Sequence, residues 1–295
     1  MAIPVEHKTL DQSTFLQASL LVRPVVLVAL LAIACWPILT GIYQSWFYEY
    51  AYMEHGVLVV PAALYMAWTL RDKLRVIPIN SSASGMVVVL LSSLQAVIGL
   101  AAHWVWVTRM AVLVGLTGIL ALSFGWRMVR ALAYPLGTLA LAIAPPTFLF
   151  DWLTLSLQLL ASRLGELSLE ALGYSVFREG NILQLVGVTL SVEEACSGIR
   201  SLMAILFMCV LYNFFFVEGR LMKILILTMA VPIAILANAG RIVATGVASQ
   251  YNRSLITGTA HETFGYISVT IAAIGCMAVH IVLVSIRRSW RSHHA

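Results

Sequence analysis

An all-α polytopic membrane protein, a bundle of about eight transmembrane helices, is the fold class this sequence predicts. Of its 295 residues, 61% are hydrophobic and only 11% charged. That is too little charge to cover the surface of a soluble domain of this length. The apolar residues also come in runs of about 20, the length at which a helix crosses a bilayer. The net charge of +5 fits the same class, because Lys and Arg bunched in loops supply it without nucleic acid, for which no motif is present.

Spans are expected at about 24–43, 56–70, 85–103, 107–125, 131–150, 198–217, 222–246 and 265–286, within a single integral membrane domain covering 1–295. No linker, low-complexity stretch or internal repeat divides the chain. The first twenty residues are polar and mixed, without the basic start and apolar core of a secretory signal, so the first span is expected to be retained. Basic residues cluster in RDKLR (71–75), WRMVR (126–130), EGRLMK (218–223) and the tail RRSWRSHHA. With these segments and the N-terminus inside, twelve of the eighteen Lys and Arg are cytoplasmic, and nine of the thirteen acidic residues are outside. The expected location is therefore a cell inner (cytoplasmic) membrane, with both termini cytoplasmic.

The outer loops carry the detail. QSWFYEYAYMEHG (44–56) is rich in Trp and Tyr and suits the interfacial belt, as does His103 beside Trp104 and Trp106. The longest loop, 151–197, begins with Leu153, Leu157, Leu160, Leu164 and Leu167 at helical spacing, which predicts an amphipathic helix along the outer interface or across the bundle top, with Gln158, Arg163, Glu166 and Glu170 elsewhere on it. It continues with VFREGNILQLVGVTLSV (176–192), where alternation and the turn residues Glu179-Gly180-Asn181 predict a short β-hairpin on the outer face. An edge of that hairpin, around Ile182 and Val186, is a candidate for pairing with an extended peptide.

Three polar clusters stand at the expected outer ends of the last three spans. The first, Glu193-Glu194-Ala195-Cys196-Ser197-Gly198-Ile199-Arg200, holds the one cysteine of four that is not inside an apolar run. Cys35, Cys209 and Cys276 read as small buried hydrophobes. At a helix N-terminus, with Arg200 one turn on, Cys196 is favoured as thiolate. The adjacent glutamates oppose this unless they pair with arginines or cap the helix. The second cluster, Asn238-Ala239-Gly240-Arg241, places a guanidinium in a hydrophobic span at a cost of ~2.5–3.5 kcal/mol at the bilayer centre and less toward an interface. The third is His261-Glu262-Thr263-Phe264-Gly265-Tyr266. His280, deeper in the same span, has no evident partner.

Taken singly, these clusters read as a helix cap, an anchoring arginine and an interfacial histidine. Together they place a thiol, a cation and an imidazole on one face of the membrane, the set that thiol acyl transfer requires. Arg200 and Arg241 are both candidates for the oxyanion. No CxxC or Cys/His ligand spacing appears, so no metal site is expected, and no cofactor is implied.

The order Glu-Ala-Cys-Ser-Gly-Ile-Arg-Ser-Leu (194–202), Asn-Ala-Gly-Arg (238–241), His-Glu-Thr-Phe-Gly-Tyr (261–266) resembles the exosortase/archaeosortase family. Glu54-His55-Gly56 and Phe177-Arg178-Glu179-Gly180-Asn181 resemble further landmarks of that family, and the likeness runs from about residue 20 to 286. The resemblance implies a membrane-embedded cysteine protease and transpeptidase, with Cys196 as nucleophile, His261 as acid/base and Arg241 as oxyanion stabiliser. Glu194, Arg200, Asn238 and Glu262 would support them, and Glu54, His55 and Arg178 would line the substrate cleft. The implied partners are membrane-anchored exported proteins whose C-terminal sorting signal joins a short motif (Pro-Glu-Pro in bacterial systems), a transmembrane helix and a basic cluster. The alternatives are a transporter or a non-catalytic membrane partner in envelope or exopolysaccharide assembly. The charges gather at one face instead of crossing the bilayer, which disfavours transport.

Overall fold

The computed structural model describes residues 12–49, 53–192, 198–252 and 258–293. In chain order its helices are α1 (Gln12–Ala34), α2 (Trp36–Gln44), α3 (Gly56–Thr69), α4 (Arg71–Val76), α5 (Ser84–Ala101), α6 (Val105–Phe124), α7 (Trp126–Ala131), α8 (Ala133–Leu139), α9 (Thr147–Ala171), α10 (Ile199–Phe216), α11 (Arg220–Tyr251) and α12 (Gly258–His293). A π-helical turn (Ser45–Glu49) follows α2, and a 3-10 turn (Ala140–Ala142) follows α8. The chain divides into two compact units, one made of Met1–Tyr43 and Ala63–Ile143, the other of Gln44–Ala62 and Ala144–Ala295.

Among the described residues, five helices are long and apolar enough to cross a membrane: Ser84–Ala101, Val105–Phe124, Ile199–Phe216, Arg220–Tyr251 and Thr263–Ser289. They answer to five of the eight expected spans. The expected spans 24–43 and 131–150 instead fall on bent pairs, Val22–Ala34 with Trp36–Phe47 at 69° and Ala133–Ala142 with Thr147–Ala171 at 75°, so the count is five to seven. Proline accounts for both bends. Pro37, and Pro145-Pro146, have no N–H to give the preceding turn, and their rings crowd the carbonyl four residues back. The expected span 56–70 is α3, whose 14 residues rise only about 21 Å, short of the roughly 30 Å hydrocarbon layer.

In the first unit α5 and α6 pack side by side. A methyl group at Gly85 would strike the Leu122 and Gly118 backbone, so the two helices touch main chain to main chain there. Arg109, buried near the start of α6, donates from Nη2 to the Gly41 carbonyl at 3.0 Å.

In the second unit α10, α11 and α12 share a core of Ile199, Leu202, Ile205, Cys209, Val217, Ile226, Ala230, Ala234, Ala272 and Cys276. Helix α9 packs on α11 by a face beside the expected leucine stripe, and Leu153 and Leu157 of that stripe pack half-buried against the core of the second unit. Thr154, Gln158, Ala161, Ser162, Gly165 and Leu169 are buried, whereas Leu160 and Leu167 are exposed. Leucine gains little by leaving lipid for protein, whereas small residues let two backbones approach. At Gly165 a Cβ would lie only 2.9 Å from Ile242 Cγ2.

The segment expected as a hairpin is a three-stranded antiparallel meander: β1 (Val176–Glu179), β2 (Ile182–Leu185) and β3 (Val188–Ser191), in that order. Leu183, Leu185, Leu190 and Val192 form a core with Ala161 and Leu169 of α9 and Ile242 of α11. Ile182 lies on the central strand, paired to Glu179 and Ser191, so a peptide adding a strand would have to use β1 or β3 instead. After β3 the backbone is held at both ends of one residue pair. Val192 N donates to the Asn181 carbonyl at 2.9 Å, and Asn181 Nδ2 to the Val192 carbonyl at 3.1 Å. This clasp fixes where the chain leaves the sheet for residues 193–197.

Candidate active site

Cys196, Glu193 and Glu194 lie outside the described residues; the structure resumes at Gly198, which begins α10. Gly198 has φ +84 and ψ −6, a left-handed conformation that glycine adopts without the steric penalty of a Cβ. Its Cα face is also pressed on α11: a Cβ there would sit 2.9 Å from Asn238 Nδ2. Two independent demands therefore fall on one position. The Leu202 amide donates to the Gly198 carbonyl at 2.8 Å, closing the first turn. Gly198 has no side chain to cap this N-terminus, so the first amides of α10 have no capping side chain at that position.

Asn238 is fully buried in α11, and Arg241 follows three residues later on the neighbouring turn. The Arg241 guanidinium lies over Gly265 of α12, with Cζ and Nη2 each 3.4 Å from the position a Cβ would take. Gly265 is one helical turn after His261, and the side chains of His261 and Glu262 lie outside what the structure describes. The start of α10 thus meets α11 at Asn238, and α12 meets the same helix one turn on, at the Arg241 guanidinium. A planar fork of N–H donors held at that junction is suited to a developing oxyanion.

Arg200, the other candidate cation, is turned elsewhere. Its Nη1 is 3.6 Å from Glu54 Oε1. Next to Glu54, the His55 ring lies 6.1 Å from that of Phe207 on α10, and Gly56 is in close contact with the Trp46 indole. The Glu54-His55-Gly56 segment is therefore docked on the helix that carries the cysteine cluster. Arg178 is not brought to this junction. Its Nε is 2.7 Å from Glu166 Oε2 and its Nη1 donates to the Gly180 carbonyl, which ties β1 to α9. Among the described residues, no three His, Cys, Asp or Glu side chains converge as a metal site.

Residues 46–278 match the family model described as Transmembrane exosortase (Exosortase_EpsH). The chain belongs to the transmembrane exosortase family. No curated protein and no solved structure matches it. The exosortase match takes in all three polar clusters and the Glu54-His55-Gly56 segment.

Some contacts of this exosortase had no announcement in the sequence. His280 has a partner after all: Tyr212 Oη on α10 lies 2.7 Å from its Nδ1. Gly265 as the seat of Arg241 was visible only as a glycine one turn after His261. The Arg200–Glu54 pair joins residues far apart in sequence, so no local spacing could signal it.

Proposed function

We propose that this exosortase is a membrane-embedded cysteine protease and transpeptidase. It cleaves the C-terminal sorting signal of exported proteins at the extracytoplasmic face of the inner membrane. The observation that carries the reading is the convergence of the Gly198 turn, Asn238, Arg241 and Gly265. One or more residues of each of the three polar clusters take part in these contacts. Cys196 is two residues before Gly198, hence within about 7.6 Å of it along the chain by Cα spacing.

In this mechanism the Cys196 thiolate attacks the carbonyl carbon of the scissile peptide. The bond to sulfur forms as the carbonyl π electrons move to oxygen, and Arg241 steadies the oxyanion. Collapse expels the amine, which takes its proton from His261, and leaves a thioester on Cys196. An acceptor amine or water then attacks the thioester, with His261 receiving the proton. The α10 N-terminus favours the thiolate. Asn238 holds the Gly198 turn, Arg200 paired with Glu54 leaves the oxyanion to Arg241, and Glu194 and Glu262 flank the nucleophile and the base.

The test is co-expression with a reporter carrying the motif, helix and basic cluster. Processing by wild type should be lost in Cys196→Ala, Arg241→Ala and His261→Ala at equal membrane abundance. Processing that survives Cys196→Ala would assign the cleavage to another protease and return the cluster to a helix cap.

A further inference from the structure

The groove between α11 and α12 shares only Arg241 with the proposed chemistry. It encloses about 420 Å3 and runs from Ile233 to Ala244 on one helix and from Phe264 to Gly275 on the other. Eleven residue steps on each helix rise about 16 Å, roughly half the hydrocarbon thickness. Its lips, Leu236, Ile267 and Ile271, are exposed, so the groove opens sideways. Only two of its lining residues are polar, Arg241 and Ser268, and both stand toward the end that meets the Gly198 and Gly265 junction.

Ser268 points to an occupant. It is 4% exposed, it lines the groove, and its hydroxyl has no hydrogen-bond partner among the described residues. Thr270, its neighbour, bonds back to the carbonyl four residues earlier, the usual resort of a hydroxyl in a helix. A hydroxyl left unpaired in an apolar setting is costly. The second observation is shape. Ala237, Gly240 and Ala244 recur at steps of three and four along the α11 wall, and Ala272 and Gly275 line the α12 wall. Such a wall admits another helix backbone at close range, the contact that drives association in lipid. An acyl chain would only exchange one hydrocarbon neighbour for another. The third is charge: the single guanidinium lies at the end where an extended segment entering a docked helix would present peptide carbonyls.

We propose that this groove docks the transmembrane helix of the substrate. It holds the N-terminal half of that helix and leaves the reacting peptide bond at the Arg241 end. The proposal rests on the cysteine-protease reading for what happens at that end, but the docking itself is tested separately.

Two measurements do so. In a Cys196→Ala background, a photoreactive benzoylphenylalanine at Ile271 should form an adduct with the reporter tail. The same probe at Ile281, exposed on α12 beyond the groove, should not. Independently, Gly240→Ala, Gly240→Val and Gly240→Leu fill the groove in order of volume. A Cβ at Gly240 meets nothing within 4 Å and improves helix propensity, so the fold is kept. Processing should fall along the series and reach about tenfold or more at leucine, as overpacking a close contact does. Wild-type processing that Gly240→Leu leaves intact, with no adduct at Ile271, would overturn the groove and spare the protease reading. Adducts only with a second copy of this chain would overturn it too. A tail adduct without any wild-type processing would support the groove and sink the protease reading.

Discussion

Gly198→Ala is the sharpest test of how the site is built, because two separable penalties fall on one methyl group. The left-handed backbone at φ +84 costs an L-residue with a Cβ about 1–2 kcal/mol. The methyl would also lie 2.9 Å from Asn238 Nδ2 and 3.2 Å from Asn238 Cβ, tight enough to displace a fully buried side chain, for which overpacking data suggest about 1–3 kcal/mol. The sum is on the order of 2–5 kcal/mol, a large fraction of the stability of any folded domain. The companion variant is Asn238→Gly, which removes the obstruction and leaves the dihedral strain. In that background Gly198→Ala should cost only the backbone share, so the double-mutant cycle should return a coupling of about 1–3 kcal/mol. The assay is reversible unfolding in mixed micelles, with processing followed in parallel. Additive costs would show that Gly198 and Asn238 do not touch, and Asn238 would lose its role in holding the Gly198 turn.

Three further outcomes follow from the same contacts. Gly265→Ala should be tolerated, since its methyl would stand 3.4 Å from the Arg241 guanidinium, an ordinary contact; Gly265→Leu should displace Arg241 and abolish processing at unchanged abundance. The Arg200–Glu54 pair is 3.6 Å apart and both side chains are well exposed, so Glu54→Gln should cost under about 1 kcal/mol; a loss of processing by orders of magnitude would mean that Glu54 touches substrate. Tyr212→Phe removes the 2.7 Å bond to His280 and should lower stability by about 0.6 kcal/mol, the mean for interhelical hydrogen bonds in a membrane bundle; processing that collapses in this variant would give His280 a part in the reaction that nothing above assigns it.

The five unbroken spans were readable because a membrane helix is a local, one-dimensional signal: about 20 apolar residues suffice, whatever packs beside them. The two bent spans were less so. A hydropathy window reads through Pro37 and Pro145-Pro146, whereas the backbone cannot. The packing face of α9 is hard to read for a different reason. In water the leucine stripe from Leu153 to Leu167 would be the buried one; here the small and polar face from Thr154 to Leu169 is buried, and the stripe is half-buried or exposed. The third strand was missed because four-residue strands give little periodicity to read.

The sequence by itself determined that this chain is a polytopic membrane protein, and it supplied the three ordered clusters on which its resemblance to the family rests. Both are properties of residue identity and order along the chain. Only the tertiary structure decided which of those residues meet. It set Asn238 on Gly198, Arg241 on Gly265, and Arg200 on Glu54, contacts between helices separated by tens of residues. Such contacts depend on how backbones without bulky side chains approach one another in three dimensions, and no spacing within a single helix encodes that.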